Sequence, residues 1–286
     1  MPLTPMSEAI AAPAAQGRGL GAFNVIQLEH AEAIVAGAER AGAPVVLQVS
    51  ENCVAYHGAL APIGAAVLAL GRAASVPVVV HLDHATSADL VSEAVALGFG
   101  SVMFDASGLP HEANVASTAE VAARCRAEGV WVEAELGEIG GKDGVHAPHA
   151  RTDPEEAAGY VAATGVDALA VAVGTSHAML TRDTVLDLAL ITRLRAAVPV
   201  PLVLHGSSGV PDDGLAAAVE HGMTKINVAT QLNKVFTAAL RERLAADPGL
   251  VDPRRYLSAG RGAVAAEVAR LLHVIRAGGR RDRSRG

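Results

Sequence analysis

Cysteine is nearly absent from this 286-residue chain: Cys53 and Cys125 are the only two, they lie in unrelated segments, and no CxxC spacing exists. That excludes a disulfide framework and reads as two free packing thiols in a reducing compartment. Long apolar runs are also missing. Although 51% of residues are hydrophobic, Gly, Pro or charge interrupts every stretch before the roughly 18 apolar residues that a membrane span needs. The start, MPLTPMSEAI, has no basic segment followed by an apolar one, so no secretory signal is read and a cytoplasmic location is expected. Lysine occurs only at 142, 225 and 234, and the net charge is −7. A basic nucleic-acid-binding surface is therefore excluded. The one basic cluster, from Arg276 to Arg285, lies among Gly and Ser and reads as a solvated tail.

What is present is a repeating pattern. Short β-rich runs ending in polar or Gly residues alternate with longer Ala/Leu/Glu/Arg segments of helical period, the signature of βα units. Eight strands are expected, at 21–26, 44–50, 77–84, 101–107, 130–137, 168–174, 201–206 and 223–228. Continuously apolar strands such as VPVVVHLDH and VPLVLHG fit a parallel sheet covered on both faces. Ser87-Ala88-Asp89, Asp153-Pro154-Glu155 and Pro211-Asp212-Asp213 mark helix starts. No early strand is followed by a GxGxxG turn, which argues against an open dinucleotide-binding sheet. The expectation is an α/β fold, a TIM (β/α)8 barrel with a C-terminal helical extension. It forms one domain over 1–275, followed by the basic tail over 276–286.

In such a barrel the polar residues at strand C-termini carry the chemistry. Three of those ends bear histidine: His84 in HLDH, His177 in VGTSH and His205 in LVLH. A single histidine there is more often structural. Three neutral imidazoles from three strands match a catalytic zinc site with an open fourth position. His81, three residues before His84, reads as core or outer support. Asp83 could be an acid/base, a ligand or an orienting group. Asp105, Glu133 and Glu135 add carboxylates at the next rims. Glu133 and Glu135 share a strand face, which is costly without a pairing group or cation nearby. Gly206-Ser207-Ser208-Gly209 after strand seven and Asn227-Val228-Ala229-Thr230 after strand eight supply the backbone N–H groups and hydroxyls of a phosphate site.

Taken in order, GAFNV (21–25), VPVVVHLDHA (77–86), SVMFDAS (101–107), VEAELGEIGG (132–141), TGVDALAVAVGTSH (164–177), PLVLHGSSGVPD (201–212), TKINVAT (224–230) and DPRRYL (252–257) resemble the class II fructose-bisphosphate aldolase family, especially its shorter members, which include tagatose-bisphosphate aldolases. The resemblance implies Zn2+ held by His84, His177 and His205, with Asp105 and Glu135 at an alternative zinc position. It implies Asp83 as acid/base at the substrate C4 hydroxyl, with zinc polarising the ketose C2 carbonyl and an enediolate remaining after C3–C4 cleavage. Asn24, Ser50, Ala178, Gly206, Ser207, Ser208, Asn227, Val228, Ala229 and Thr230 match substrate-contacting positions, and the phosphate end allows a monovalent cation, Na+ or K+. Arg254 matches an arginine that reaches a neighbouring subunit's substrate phosphate, so a homodimer or homotetramer acting on a phosphorylated sugar is implied. Two departures stand out: Ala178 replaces a usual Gly, and the loop after Gly140-Gly141 reads Lys142-Asp143 where the family carries Glu, which leaves Asp143 as proton donor; His146 and His149 of the same loop could substitute, although each reads first as a solvated loop histidine. The same residues leave room for an aldolase of another ketose phosphate. They also fit a Schiff-base aldolase using Lys225, a metal-dependent hydrolase, or a non-catalytic sugar-phosphate-binding barrel.

Overall fold

The computed structural model describes residues 3–136 and 151–277. Its eight strands are β1 (Leu20–Asn24), β2 (Val45–Ser50), β3 (Val78–Ala85), β4 (Ser101–Phe104), β5 (Trp131–Glu135), β6 (Ala168–Ala170), β7 (Leu202–Leu204) and β8 (Met223–Val228). All pair in parallel and in sequence order, and β8 returns to β1 to close the barrel. The helices are α1 (Met6–Ala15), α2 (Leu28–Ala41), α3 (Glu51–His57), α4 (Leu60–Ala73), α5 (Ala88–Leu97), α6 (His111–Ala127), α7 (Pro154–Thr164), α8 (Leu188–Ala197), α9 (Asp212–His221), α10 (Thr230–Ala246) and α11 (Pro253–Ala277). The expected barrel and C-terminal extension are both present. Among the described residues no single helix is long and apolar enough to cross a membrane.

The helix starts follow their caps. Ser87 accepts from the Leu90 amide to open α5, and Asp153 accepts from Glu155 and Glu156 with Pro154 at the first position of α7. Five strands, β1, β4, β5, β6 and β7, end earlier than expected. β4 stops at Phe104 because Asp105 turns to accept from the Ser107 amide and hydroxyl. From Ala172 onward the chain pairs with residues 151–152 and with Asp187 instead of β7. Nor does the tail begin at 276: α11 runs through Ala277, and Arg276 donates to the carbonyls of Ala41 and Gly42. Residues 278–286 lie outside the described residues.

Strand alternation sorts the side chains. Val45, Leu47, Val78, Val80, Leu82, Val102 and Val132 face outward into the layer between sheet and helices. Leu20, Ala22, Val46 and Val79 face inward at the N-terminal end, where Met6, Ala9 and Ile10 of α1 plug the barrel. Cys53 and Cys125 are free and buried, as expected.

Candidate active site

Two residues further along the same inward rows, the interior turns polar. Asn24, Gln48, His81, Asp83, Ser101, Glu133, Glu135, Lys225 and Asn227 occupy the upper barrel, all but Asn24 buried. Above them is a cavity of about 200 Å³ lined by Asn24, Ser50, Asp83, His84, His177, Ala178 and His205, and by Gly206, Ser208, Asn227, Ala229 and Thr230 from the last two loops. Most residues singled out in the sequence thus meet at one place. Ser207 and Val228 sit just behind it, buried. Asn52 also lines the cavity and carried no signal in the sequence beyond following a strand end. A wider groove of about 480 Å³ runs between α5 and α6 past Val91, Val95 and Val121. No histidine lines it, so the smaller cavity is the one with chemistry.

Asp83 and His84 are sequence neighbours and should face opposite ways along a strand. Pairing between β3 and β4 shifts register between Leu82 and Ala85, and His84 takes a left-handed backbone with φ 50. That irregularity re-aims His84, so both side chains reach the cavity. Ala178 is the other non-glycine residue with positive φ among the described residues, at 58. The departure seen in the sequence therefore falls where the backbone conformation favours glycine. Gly206, also left-handed at φ 65, has no such latitude: a Cβ there would meet Ser176 O at 2.6 Å.

The three histidines converge. Ligand nitrogens of His84, His177 and His205 lie within 4.8 Å of one another, and a second group, His84, Asp105 and Glu135, meets the same criterion. Each of two rings is anchored from behind. His84 Nδ1 donates to Asp105 Oδ2 at 2.7 Å, and His205 Nε2 faces Glu133 Oε1 at 2.9 Å. With those nitrogens engaged, His84 Nε2 and His205 Nδ1 face each other 3.0 Å apart. Burial lowers the pKa of His84, but Asp83, the Asp105 hydrogen bond and Glu135 outweigh it, and the ring is pushed up to about 9. Burial, with His84 and His177 beside it, drives His205 well below its ordinary value. His84 Nε2 and His205 Nδ1 are the nitrogens that a metal ion would take as ligands, in place of the contact between them. Tetrahedral Zn–N bonds of about 2.0–2.1 Å would set ligand nitrogens roughly 3.3 Å apart, so the donor set fits that ion.

Behind the cavity, Asp83 Oδ2 accepts from Asn24 Nδ2 at 2.8 Å, and Asn24 Oδ1 accepts from Gln48 Nε2 at 3.1 Å. Asp83 Oδ1 is buried without a hydrogen-bond partner. Gln48 was not anticipated, although one polar residue inside the apolar strand VVLQVS was the available signal. Glu135 is steadied by Asn114, whose Nδ2 donates to Glu135 O and Leu136 O while its Oδ1 accepts from Tyr160 at 2.7 Å. Ser50 has a structural task too, capping α3 through the Cys53 amide. Ser207 donates to Asn227 O, and Ser208 Oγ accepts from the Gln231 amide at 3.1 Å, joining the two loops at the N-terminus of α10. A brace runs behind them. Arg182, in the loop after His177, pairs with Asp212, which pairs with Arg270; Arg270 pairs with Glu267, which accepts from Gln231.

Two readings left open in the sequence are decided beneath this cavity, and Arg254 lies away from it, as expected of a residue that acts on a neighbouring subunit. Glu133 needs no metal to account for it, because Lys225 Nζ donates to its Oε2 at 2.8 Å. The same contact removes Lys225 as a Schiff-base lysine: its amine is 1% exposed and engaged. Arg254 does not join the site of its own chain; its side chain is 89% exposed and pairs with Asp252. Asp143, along with Lys142, His146 and His149, lies outside the described residues.

Known proteins resemble the chain along nearly its whole length. Residues 4–280 match the family described as fructose-bisphosphate aldolase class-II. The chain is 41% identical over 253 residues to a fructose-bisphosphate aldolase of Geobacillus stearothermophilus, covering 87% of this chain and 88% of the relative. It is 38% identical to a fructose-bisphosphate aldolase of Thermus caldophilus, covering 93% of this chain and 95% of that one. Among solved structures, the YdjI aldolase of Escherichia coli superposes with a TM-score of 0.84 at 28% identity, covering 96% of this chain and 97% of that chain.

Proposed function

The chain belongs to the class II fructose-bisphosphate aldolase family, and on that premise we propose that it cleaves a ketose 1,6-bisphosphate reversibly into dihydroxyacetone phosphate and glyceraldehyde 3-phosphate. Fructose 1,6-bisphosphate is the substrate favoured by the names of its relatives. The observation that carries the reading is the convergence of His84, His177 and His205 beside Asp83 at one cavity. These three imidazoles would hold a zinc ion, with Asp105 and Glu135 offering an adjacent position through His84. When bound, the ion supplies Lewis-acid polarisation of the C2 carbonyl. Asp83, oriented by Asn24 and with Oδ1 open, takes the proton of the C4 hydroxyl. The C3–C4 bond then breaks, its electron pair passes to C3 and the adjoining carbonyl, and the aldehyde leaves. Return of a proton to C3 completes the second product; Asp143 is the proposed donor. Gly206, Ser208, Ala229 and Thr230 would receive a phosphate at the N-terminus of α10, where the positive end of the helix dipole favours an anion.

Arg254 is proposed to act across a homodimer or homotetramer interface, on a partner's substrate phosphate; its exposure on its own chain supports that role. Its bidentate, permanently charged head suits phosphate. Normal kinetics for Arg254→Ala would leave it a surface residue. The two free thiols support a cytoplasmic location. The function is tested by assaying ketose phosphates for triose-phosphate release with and without chelator, alongside zinc counting on wild type and on His84→Ala, His177→Ala and His205→Ala. About one zinc per chain is expected in the wild type, and the variants should lose both metal and cleavage. Full activity in chelator would end the metal reading.

A further inference from the structure

Beneath the three histidines lies a buried ion pair that the cleavage chemistry leaves unused. Lys225 on β8 donates from Nζ to Glu133 Oε2 on β5 at 2.8 Å, and both side chains are 1% exposed or less. The second oxygen of that carboxylate lies 2.9 Å from His205 Nε2. Removing two charges from water is costly, and well-packed apolar residues often replace such a pair without loss, so stability is a weak reason for it. We propose that Lys225 and Glu133 are positioning residues that set the tautomer of His205, so that its Nδ1 lone pair faces the cavity as a ligand. This rests on the reading of His205 as a metal ligand.

Donors and acceptors around the ring fix its tautomer. A carboxylate only accepts, so an Oε1 contact with Nε2 requires hydrogen on Nε2 and leaves Nδ1 bare. Lys225 supplies the counter-charge a buried carboxylate needs, and by taking Oε2 it turns Oε1 toward the ring. Asn227 Nδ2 lies 3.0 Å from the same His205 nitrogen, while Asn227 Oδ1 is buried without a partner. A half-turn of that amide places its oxygen, an acceptor, beside Nε2–H. Without the pair, nothing on β5 would keep hydrogen off Nδ1, the atom that stands 3.0 Å from His84 Nε2.

The test uses the full chain stripped of metal. Lys225→Met keeps the length and removes the ammonium. Lys225→Met/Glu133→Gln removes both charges and covers the case in which the single variant, left with a lone buried carboxylate, does not fold. Isotope-edited nitrogen NMR on histidine-labelled wild type should show His205 with hydrogen on Nε2, and a population with hydrogen on Nδ1 should appear in the double variant. Its zinc Kd, read by chelator competition without substrate, should rise about 10- to 100-fold. Hydrogen on Nδ1 in the wild type overturns the proposal, as do a wild-type tautomer and zinc Kd in the folded double variant. A wild type that shows Nε2–H but takes up no zinc would end the metal reading of the site and still support the tautomer assignment.

Discussion

The two ends of the barrel interior are made by the same strands with the same alternation, yet they solve opposite problems. At the N-terminal end, Leu20, Ala22, Val46 and Val79 close on Met6 and Ile10 of α1, an apolar plug. At the C-terminal end the next inward residues are Asn24, Gln48, His81 and Asp83, joined across the barrel by Glu133, Glu135, His205 and Lys225. Burying apolar surface stabilises at about 25 cal/mol per Å², whereas a buried polar group costs free energy unless it is hydrogen-bonded. The lower end therefore holds the barrel together, and the upper end persists because its polar groups are linked, as in Gln48 to Asn24 to Asp83. Function occupies the end where stability is spent.

If the division is real, the two ends should fail differently. The largest effect is expected from Asp83→Asn, which removes the proposed base and keeps its shape: kcat should fall about 10²- to 10⁴-fold. Zinc content and denaturation midpoint should stay near wild type; full activity would move the proton transfer to another group. Leu20→Ala at the plug should do the reverse, lowering unfolding free energy by about 2–5 kcal/mol while the folded enzyme keeps its kcat. A matching loss of kcat in that variant would show that the ends are not separable. A smaller effect is expected at Ala178, whose left-handed backbone stores strain at the upper end. Ala178→Gly should raise stability by about 1 kcal/mol in urea titration; an unchanged midpoint would mean that the conformation costs nothing there.

The smallest effect belongs to the brace behind the loops that follow β7 and β8. Hydrogen bonds from Arg270 hold Glu267 below its ordinary range, and Asp212, despite burial, is lowered by Arg182 and Arg270. Depressed carboxylate values mean that this stabilisation is complete above about pH 5 and is lost as pH falls through them. Because these groups are partly exposed, Arg270→Met should cost less than about 1 kcal/mol at neutral pH. Its difference from wild type should shrink in acid, and a gap that widened in acid would contradict the pairing.

The βα alternation, the three histidine-bearing strand ends and the two Gly/Ser/Thr-bearing loops after β7 and β8 were legible in the sequence because each rests on local rules: period, capping and position at a strand end. Eight strands closing in order follow from those same rules. What the chain order did not reveal was anything decided across the barrel. Lys225 stands 92 positions from Glu133, and only closure of the sheet brings Nζ to the carboxylate. Gln48 reads as one polar residue in an apolar strand until Asn24 and Asp83 are set beside it. His84 and Asp83, neighbours that simple alternation sends apart, share a cavity because a register shift turns one of them. Local sequence determines which elements form and which residues reach their ends. The tertiary structure decides which buried charges meet, because the cost of burying them is offset only by partners that closure supplies.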